Sequence, residues 1–331
     1  MRSLVRLSFP LVRHYCNRGI PYKTEATHSG VNLTETTPSY RMDQSIALTD
    51  TSTKHSVFNE QRVRVQLAQL GDGSVDLVKD DETGVARIVL NNPSKGNALS
   101  GKMMVDFSDV VDDLEVWENG KGVVLHGSEE CDHFCSGGDV SVLSGLDKPE
   151  AGGMMCLFMQ NTLSRLQRLP MISVAHVHGQ AIGGGAELLT ACDFRLWTES
   201  TELQFKQAKL GLSPGWGGGA RLVGIVGPQR ALQLLAGCQK VTASEALEFG
   251  LATEVLPRSG DSVQDAAEWL SQYTQPSVDI LSGIKELVLA ATHLPLDKAL
   301  KVEREIFTSR WWSSEHEEGF KKVLDKLQRG K

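Results

Sequence analysis

Residues 172–195 read ISVAHVHGQAIGGGAELLTACDFR, and this stretch decides the fold. It opens on a short apolar run, Ile172 to Val177, that predicts a buried strand. A glycine-rich loop follows at once, Gly179 to Glu187, and runs without a break into GAELLTACD, which predicts a helix. FRLWTE then predicts the next strand. Strand, loop, helix and strand in immediate succession describe a β-α-β unit, so helices must cover a sheet. Because the loop feeds directly into the helix, the free amides of the first helical turn point at whatever occupies the loop. That geometry suits a developing negative charge.

Working outward, the same order recurs upstream. GVVLHG, residues 122–127, predicts a short buried strand, and HFCSGGDV, residues 133–140, supplies a second glycine-rich loop. Loops at the carboxyl ends of strands are where open α/β sheets bind ligands. Between the two loops lies a helix, MMCLFMQNTLSRLQRL, with Pro170 as its stop. Further upstream, Met103, Phe107, Val110, Val111 and Leu114 recur at helical spacing, closed by Gly120. The folded part begins with VDLVKDDETGVARIVLNN, residues 75–92, which predicts two strands around a turn at Asp80 to Gly84. After Gly227 the chain reads as helical almost throughout, from PQRALQLLAG through ALKVEREIFTSRWW to GFKKVLDKLQR, with one apolar stretch at ATEVL. A helical C-terminal subdomain is expected.

The bulk properties exclude several classes. The 331 residues, 40% hydrophobic, can fill the core of one large α/β domain or two ordinary ones. A formal charge of −7 argues against nucleic acid, which requires a concentrated basic surface. No apolar run approaches the ~18 to 20 residues of a membrane helix, so no membrane partner is expected. The six cysteines lack the paired spacing of a secreted disulfide framework and read as reduced thiols. Cys131, His133 and Cys135 lie close together, but no second cluster completes four ligands, so no metal is expected. Before Glu25 there is no acidic residue, while Arg2, Arg6, Arg13, Arg18 and Lys23 alternate with apolar residues. That is the composition of a mitochondrial presequence; a disordered basic tail, or a start at Met42, would account for it equally. Residues 22 to about 73 are rich in Thr, Ser and Gln and read as a linker.

Neither glycine loop is a nucleotide fingerprint. The phosphate-binding pattern G-x-x-x-x-G-K-[ST] does not occur, and the Gly-x-Gly-x-x-Gly pattern lacks its acidic partner. Three consecutive glycines alone fit a tight turn where a helix packs on a strand. Two such loops with a carboxylate at Glu187 turn the reading toward a ligand.

Taken together, HGQAIGGGAELLTACDFR, QFKQAKLGLSPGWGGGARL (204–222), RALQLLAG (230–237) and ALEFGLATEVL (246–256) resemble the signature of the crotonase, or enoyl-CoA hydratase/isomerase, superfamily. NNPSKGNALS (91–100) and SSEHEEGFKKVL (313–324) extend the resemblance from about Val75 to the C-terminus. It implies a crotonase (ClpP-like) α/β fold in which repeated β-β-α units form a spiral core, residues 73–270. A basic leader and linker, 1–72, would precede it, and a helical oligomerisation subdomain, 271–331, would follow. The resemblance further implies that the backbone amides of Gly138 and Gly184 form an oxyanion hole for a thioester carbonyl, which fixed dipoles stabilise without reorganising. Coenzyme A would lie against Ala98 and the stretch Ser136, Gly137, Gly138, Asp139, Val140 and Ser141, with Gly184 at the acyl end. At NNPSKGNAL, Ser94 stands where the family commonly carries a basic residue, with Lys95 beside it.

Hydration in this family uses two glutamates, one for water and one for the proton. The first is Glu187; the second, in the register set by Leu210 and Gly211, falls at Gln207, which cannot exchange a proton near neutral pH. Lys206 and Lys209 flank it as solvated residues or carboxylate contacts. A malonyl-type thioester asks for less, since CO₂ leaves once the enolate is stabilised and a single proton then completes the reaction. NPSKGNALSGKMM, FMQNTLSRLQRLP and PGWGGGARLV resemble the branch that removes CO₂ from ethylmalonyl-CoA, and more slowly methylmalonyl-CoA, giving butyryl- or propionyl-CoA with no cofactor beyond the substrate's own coenzyme A. Glu187 would position the carboxylate, take part in protonation, or satisfy amides as a helix-start carboxylate, and Gln207 would offer a neutral amide. The alternatives are another crotonase-type hydratase or isomerase, or a catalytically silent acyl-CoA binder. His176 and His178 read as packing residues, and the Trp216 loop as the wall of the acyl pocket or as packing for the next helix. The resemblance also implies a homotrimer or homohexamer through the C-terminal helices, where Ile306, Phe307, Trp311 and Trp312 form an apolar run. The leader composition points to the mitochondrial matrix and the resemblance to the cytosol; a start at Met42 or an inactive leader reconciles them in favour of the cytosol.

Overall fold

Two sheets share the strands, and the chain crosses between them at every repeat. The computed structural model describes residues 58–257 and 263–329. The basic leader lies outside the described residues. The first element, α1 (Glu60–Leu67), falls where composition suggests linker. Asn59 caps it by accepting from the Arg62 amide, and Val63 and Leu67 are buried. Arg64 fastens it to the body through Asp109 and Asp112 and stacks 5.6 Å from the centre of the Phe158 ring. Eight residues, about two turns, carry too little periodicity to stand out from a polar stretch.

The hairpin of β1 (Ser74–Asp80) and β2 (Val85–Asn91) forms as its alternation requires, pairing Val75 with Leu90 and Leu77 with Ile88. Next comes α2 (Gly101–Glu115), capped by the Ser100 hydroxyl on the Met103 amide, with Met103, Met104, Phe107, Val111 and Leu114 fully buried. Three strand pairs follow. They are β3 (Gly122–Gly127) with β4 (His133–Cys135), β5 (Ile172–Val177) with β6 (Gln180–Ile182), and β7 (Phe194–Thr198) with β8 (Glu202–Gln204). In each pair the longer strand joins a six-stranded sheet of order β1-β2-β3-β5-β7-β10, where β10 is Glu254–Leu256. The three-residue partner joins a four-stranded sheet, β4-β6-β8-β9, where β9 is Lys240–Thr242.

The helices follow the strand pairs. After β4 come α3 (Val140–Leu143) and α4 (Pro149–Arg168), the latter ending just before Pro170. After β6 comes α5 (Gly184–Leu188), and after β8 and a 3₁₀ turn comes α6 (Gly218–Gly237), broken at Gly227 before Pro228. The stretch GAELLTACD therefore forms a shorter helix than its periodicity suggests: five residues, then a 3₁₀ turn. Asp193 ends it. Its carboxylate accepts from the Ser173 amide and hydroxyl at 2.7 and 2.9 Å and pairs with the buried Lys285, which draws the chain into β7.

The remainder is helical as expected: α7 (Ala243–Glu248), α8 (Val263–Ser271), α9 (Val278–His293), α10 (Leu296–Arg310) and α11 (Ser314–Arg329). Helix α8 packs Val263, Ala266 and Leu270 on Val124, Val174 and Leu196 of the large sheet, while Val123, Leu125 and Ala175 face the main core. Strands covered on both faces are continuously apolar, which is why GVVLHG shows no alternation. Among the described residues no helix is long and apolar enough to cross a membrane.

Two buried histidines sit side by side in the large sheet, His126 on β3 paired in register with His176 on β5. His126 donates Nδ1–H to the Gly127 carbonyl at 2.8 Å, whereas among the described residues neither ring nitrogen of His176 has a partner. Burial lowers both, His176 to about 4. An unfolded histidine binds a proton near its ordinary value of about 6.5, and the folded one resists it, so stability falls as pH drops from 6.5 toward 4. The loss due to His176 should approach roughly 3 kcal/mol at the acid end. Urea denaturation across this range should show His176→Leu with a shallower dependence than wild type; parallel curves would show that the imidazole stays uncoupled from folding.

Candidate active site

The small sheet brings the chemistry together. Strands β4, β6 and β8 are parallel neighbours, so the segments leaving their carboxyl ends emerge side by side: 136–139, 183–187 and 205–210. The loops do not leave the long strands directly, as their sequence order suggests. Three-residue strands intervene, too short for alternation to register.

Gly137 sets how closely the first two loops meet. Its φ is 96°, and a β-carbon there would lie 2.9 Å from both the Gly184 nitrogen and the Ile182 carbonyl oxygen. Only glycine permits both the conformation and the contact. The loop is held by the Leu99 amide on the Gly137 carbonyl, 2.7 Å, and the Asp139 amide on the Leu99 carbonyl, 2.8 Å. The second is held by the Gly183 amide on the Gln204 carbonyl, 2.9 Å. These bonds use the flanking amides. The N–H groups of Gly138 and Gly184 donate to no protein acceptor among the described residues.

Glu187, expected as an acid, base or amide-satisfying carboxylate, is 2% exposed and wholly engaged. Its Oε1 accepts from Gln207 Nε2 at 3.0 Å and from the Gly215 amide at 3.3 Å. Its Oε2 accepts from the amides of Trp216 and Gly218, both at 2.9 Å. The amides belong to the turn that starts α6, not to its own helix. Burial pushes the Glu187 carboxyl above its ordinary range, while these donors pull in the opposite direction. Gln207 thus contacts Glu187 directly, and among the described residues its own Oε1 is buried without a partner. Lys206 is half-buried and Lys209 exposed, and neither forms an ion pair among the described residues.

The residues expected around coenzyme A also form one neighbourhood. The Ser136 amide donates to the Gly96 carbonyl at 3.0 Å, two residues from the buried Ala98. Asp139 caps α3, accepting from the Ser141 amide at 3.0 Å and the Ser141 hydroxyl at 2.5 Å. Lys95, beside Ser94, donates to the Ser141 hydroxyl at 3.3 Å, and Val140 is exposed.

Two residues were not singled out by sequence reasoning. Arg221 donates Nε–H to Thr190 Oγ1 at 3.1 Å and Nη2–H to the Trp216 carbonyl at 2.8 Å. Met155 on α4 accepts from the Trp216 indole N–H at 3.3 Å. The string PGWGGGARL contained the signal for Arg221; the approach of α4 is visible only in three dimensions. Among the described residues no group of three or more His, Cys, Asp or Glu side chains is placed to hold a metal ion. Cys135, near His133 in sequence, is buried, and burial raises its thiol to about 12.

This arrangement can be set against known proteins. The sequence model of the enoyl-CoA hydratase/isomerase family matches residues 80–330. An ethylmalonyl-CoA decarboxylase of Xenopus tropicalis is 46% identical over 255 residues, covering 77% of this chain and 84% of that protein. The ethylmalonyl-CoA decarboxylase of Mus musculus is 43% identical over 262 residues, covering 78% and 80%. Among solved structures, an enoyl-CoA hydratase of Geobacillus kaustophilus superimposes with a TM-score of 0.72 at 26% identity, covering 77% of this chain and 95% of that one. A Thermobifida fusca structure solved in complex with acetoacetyl-CoA gives a TM-score of 0.65 at 27% identity, covering 75% and 97%.

The engagement of Glu187 has a measurable consequence. Glu187→Gln exchanges an acceptor-only carboxylate for a group that turns N–H toward N–H, leaving buried amides of the 215–218 turn unpaired. Bonds to a charged partner contribute about 1.5 to 3 kcal/mol each, so the variant should lose at least about 2 kcal/mol of unfolding free energy. Urea titration at neutral pH measures it, and wild-type stability in the variant would rule out the fastening role.

Proposed function

The chain belongs to the enoyl-CoA hydratase/isomerase family, and from that premise we propose that it decarboxylates ethylmalonyl-CoA, and more slowly methylmalonyl-CoA, as a carbon-carbon lyase. One observation carries the reading: two unpaired backbone N–H groups, Gly138 and Gly184, stand on touching loops, with a glutamine where a hydratase needs its second acid. The names of the relatives and the acetoacetyl-CoA complex of a structural neighbour support an acyl-CoA thioester as the ligand.

In the proposed reaction the thioester oxygen accepts from both amides. Negative charge gathers on that oxygen as the bond from C2 to the carboxylate breaks, and the preset dipoles stabilise it; one such donor contributes about 10² to 10³ in rate. CO₂ departs, the enolate takes a proton from water at C2, and butyryl-CoA or propionyl-CoA remains with hydroxide released to solvent. Both carboxylate oxygens of Glu187 are already committed to donors, so its part is to hold the turn that borders the site. Gln207 offers a neutral amide that leaves the substrate carboxylate unprotonated and free to leave. The reading calls on no group beyond the substrate's own coenzyme A.

Incubation with a panel of thioesters tests this. Ethylmalonyl-CoA should release CO₂ and yield butyryl-CoA by mass spectrometry, methylmalonyl-CoA should react more slowly, and crotonyl-CoA should remain unhydrated. Hydration of crotonyl-CoA at a comparable rate would favour the hydratase alternative; tight acyl-CoA binding without turnover would favour the silent binder.

The proposal includes a homotrimer or homohexamer assembled through the C-terminal helices. Helices α9 and α10 flank a groove of about 700 Å³ lined by Ile284, Leu300, Phe307 and Trp311, and the last three of these are more than half exposed in the single chain. Large apolar side chains left in water favour burial by a partner surface. Light scattering coupled to gel filtration should give three or six times the chain mass, and Phe307→Asp should lower it while preserving the circular dichroism spectrum. A wild-type monomer at micromolar concentration would refute the assembly.

A further inference from the structure

The Trp216 indole occupies a position that the reaction as derived leaves unused. A β-carbon built on Gly184 would lie 2.6 Å from Cη2 and 2.8 Å from Cε3 of this ring. One built on Gly138 would lie 3.6 and 3.8 Å from Cζ2 and Cη2. The benzo edge of a single indole therefore rests against both glycines whose amides are unpaired. A β-carbon at Gly184 would displace it, whereas one at Gly138 would collide with Leu143 and only touch the ring.

The ring has little freedom to move. Its backbone N–H donates to Glu187 Oε2 at 2.9 Å, its carbonyl accepts from Arg221 at 2.8 Å, and its indole N–H donates to Met155 Sδ at 3.3 Å. Trp216 is 5% exposed. On the side of Gly138, Leu143 Cδ1 lies 2.6 Å from the built β-carbon, and Cys156 Sγ of α4 lies 2.7 Å from one built on Gly215. Apolar groups from α3 and α4 thus flank a rigid, flat, uncharged surface.

We propose that Trp216 is a specificity-determining residue, whose benzo ring is the wall that receives the alkyl branch at C2 of the substrate and limits its length. This rests on the decarboxylase reading. C2 is two bonds from the oxygen held by the Gly138 and Gly184 amides, so a substituent on the Trp216 side of the plane meets the ring. That surface carries no donor aimed outward, because its one N–H is spent on Met155. It accepts a hydrocarbon and rejects the carboxylate, which is then directed away from the wall. Each methylene buried there favours the longer branch by about 0.8 kcal/mol, or about fourfold, until the chain reaches the ring and further length meets a fixed obstacle. Loss of CO₂ turns the same branch into C3 and C4 of butyryl-CoA, so the wall also limits the product.

The test compares methylmalonyl-, ethylmalonyl- and butylmalonyl-CoA on wild type, Trp216→Leu and Met155→Leu. Wild type should favour ethylmalonyl-CoA over butylmalonyl-CoA by at least about tenfold in kcat/KM. Trp216→Leu should shrink that ratio by about tenfold or reverse it. Met155→Leu keeps apolar volume but removes the indole acceptor, and should move the ratio the same way by a smaller factor. Calorimetric binding of butyryl-CoA against octanoyl-CoA gives a readout independent of turnover: octanoyl-CoA should gain on butyryl-CoA in both variants. An unchanged chain-length ratio in a folded, active variant, by rate and by binding, overturns the proposal while leaving the decarboxylase reading intact. Wild type that turns over no malonyl-type thioester overturns that reading, and this inference with it.

Discussion

Four donors converge on the buried carboxylate of Glu187, and the geometry around the two glycine amides depends on that convergence. A carboxylate removed from water is costly unless hydrogen bonds replace its hydration. Here three come from one turn, residues 215–218, and the fourth from the 3₁₀ segment after β8. The charge therefore ties α5, α6 and the third loop into one unit. Trp216 is carried on that turn, so its ring is positioned by electrostatics at its backbone and by Met155 at its far end.

The unit has to be rigid because what it borders is so small. Two N–H groups make a useful site only if their spacing is set before the ligand arrives. The parallel pairing of β4, β6 and β8 sets it coarsely, and Gly137 sets it finely by letting one loop rest on the nitrogen of the other. Among the described residues neither amide donates to the protein, whereas those of Asp139 and Gly183 beside them bond to the Leu99 and Gln204 carbonyls.

The large sheet serves a different purpose. Covered on both faces, by the main core and by α8, it anchors the start of every repeat in a dry interior. Its polar interruptions are few and mostly partnered: Asp193 binds Ser173 and Lys285, and Arg195 donates to the Leu251 and Cys192 carbonyls. Among the described residues both ring nitrogens of His176, the His126 Nε2 and the Trp197 indole N–H are without partners. The small sheet is thin by comparison, with three-residue strands, and it is there that the glycine loops are presented.

Much of this was legible in the order of residues. Alternation in 75–92 specifies the hairpin, helical spacing in 99–120 specifies α2, and the glycine loops with Glu187 and Gln207 mark the candidate site, because each signal is local and carried by neighbours along the chain. Three features were not legible. Helix α1 hides in a polar stretch, since its stability comes from Arg64 reaching Asp109, Asp112 and Phe158. Strands of three residues have no period to detect. The partners of Glu187 lie twenty to thirty-one positions away, so whether that carboxylate would trade protons or fasten a turn could not be read from its own surroundings. Sequence alone determined which groups are present and on which local element each rides; the fold decided which of them meet, because burial and hydrogen-bond saturation are properties of neighbours in space.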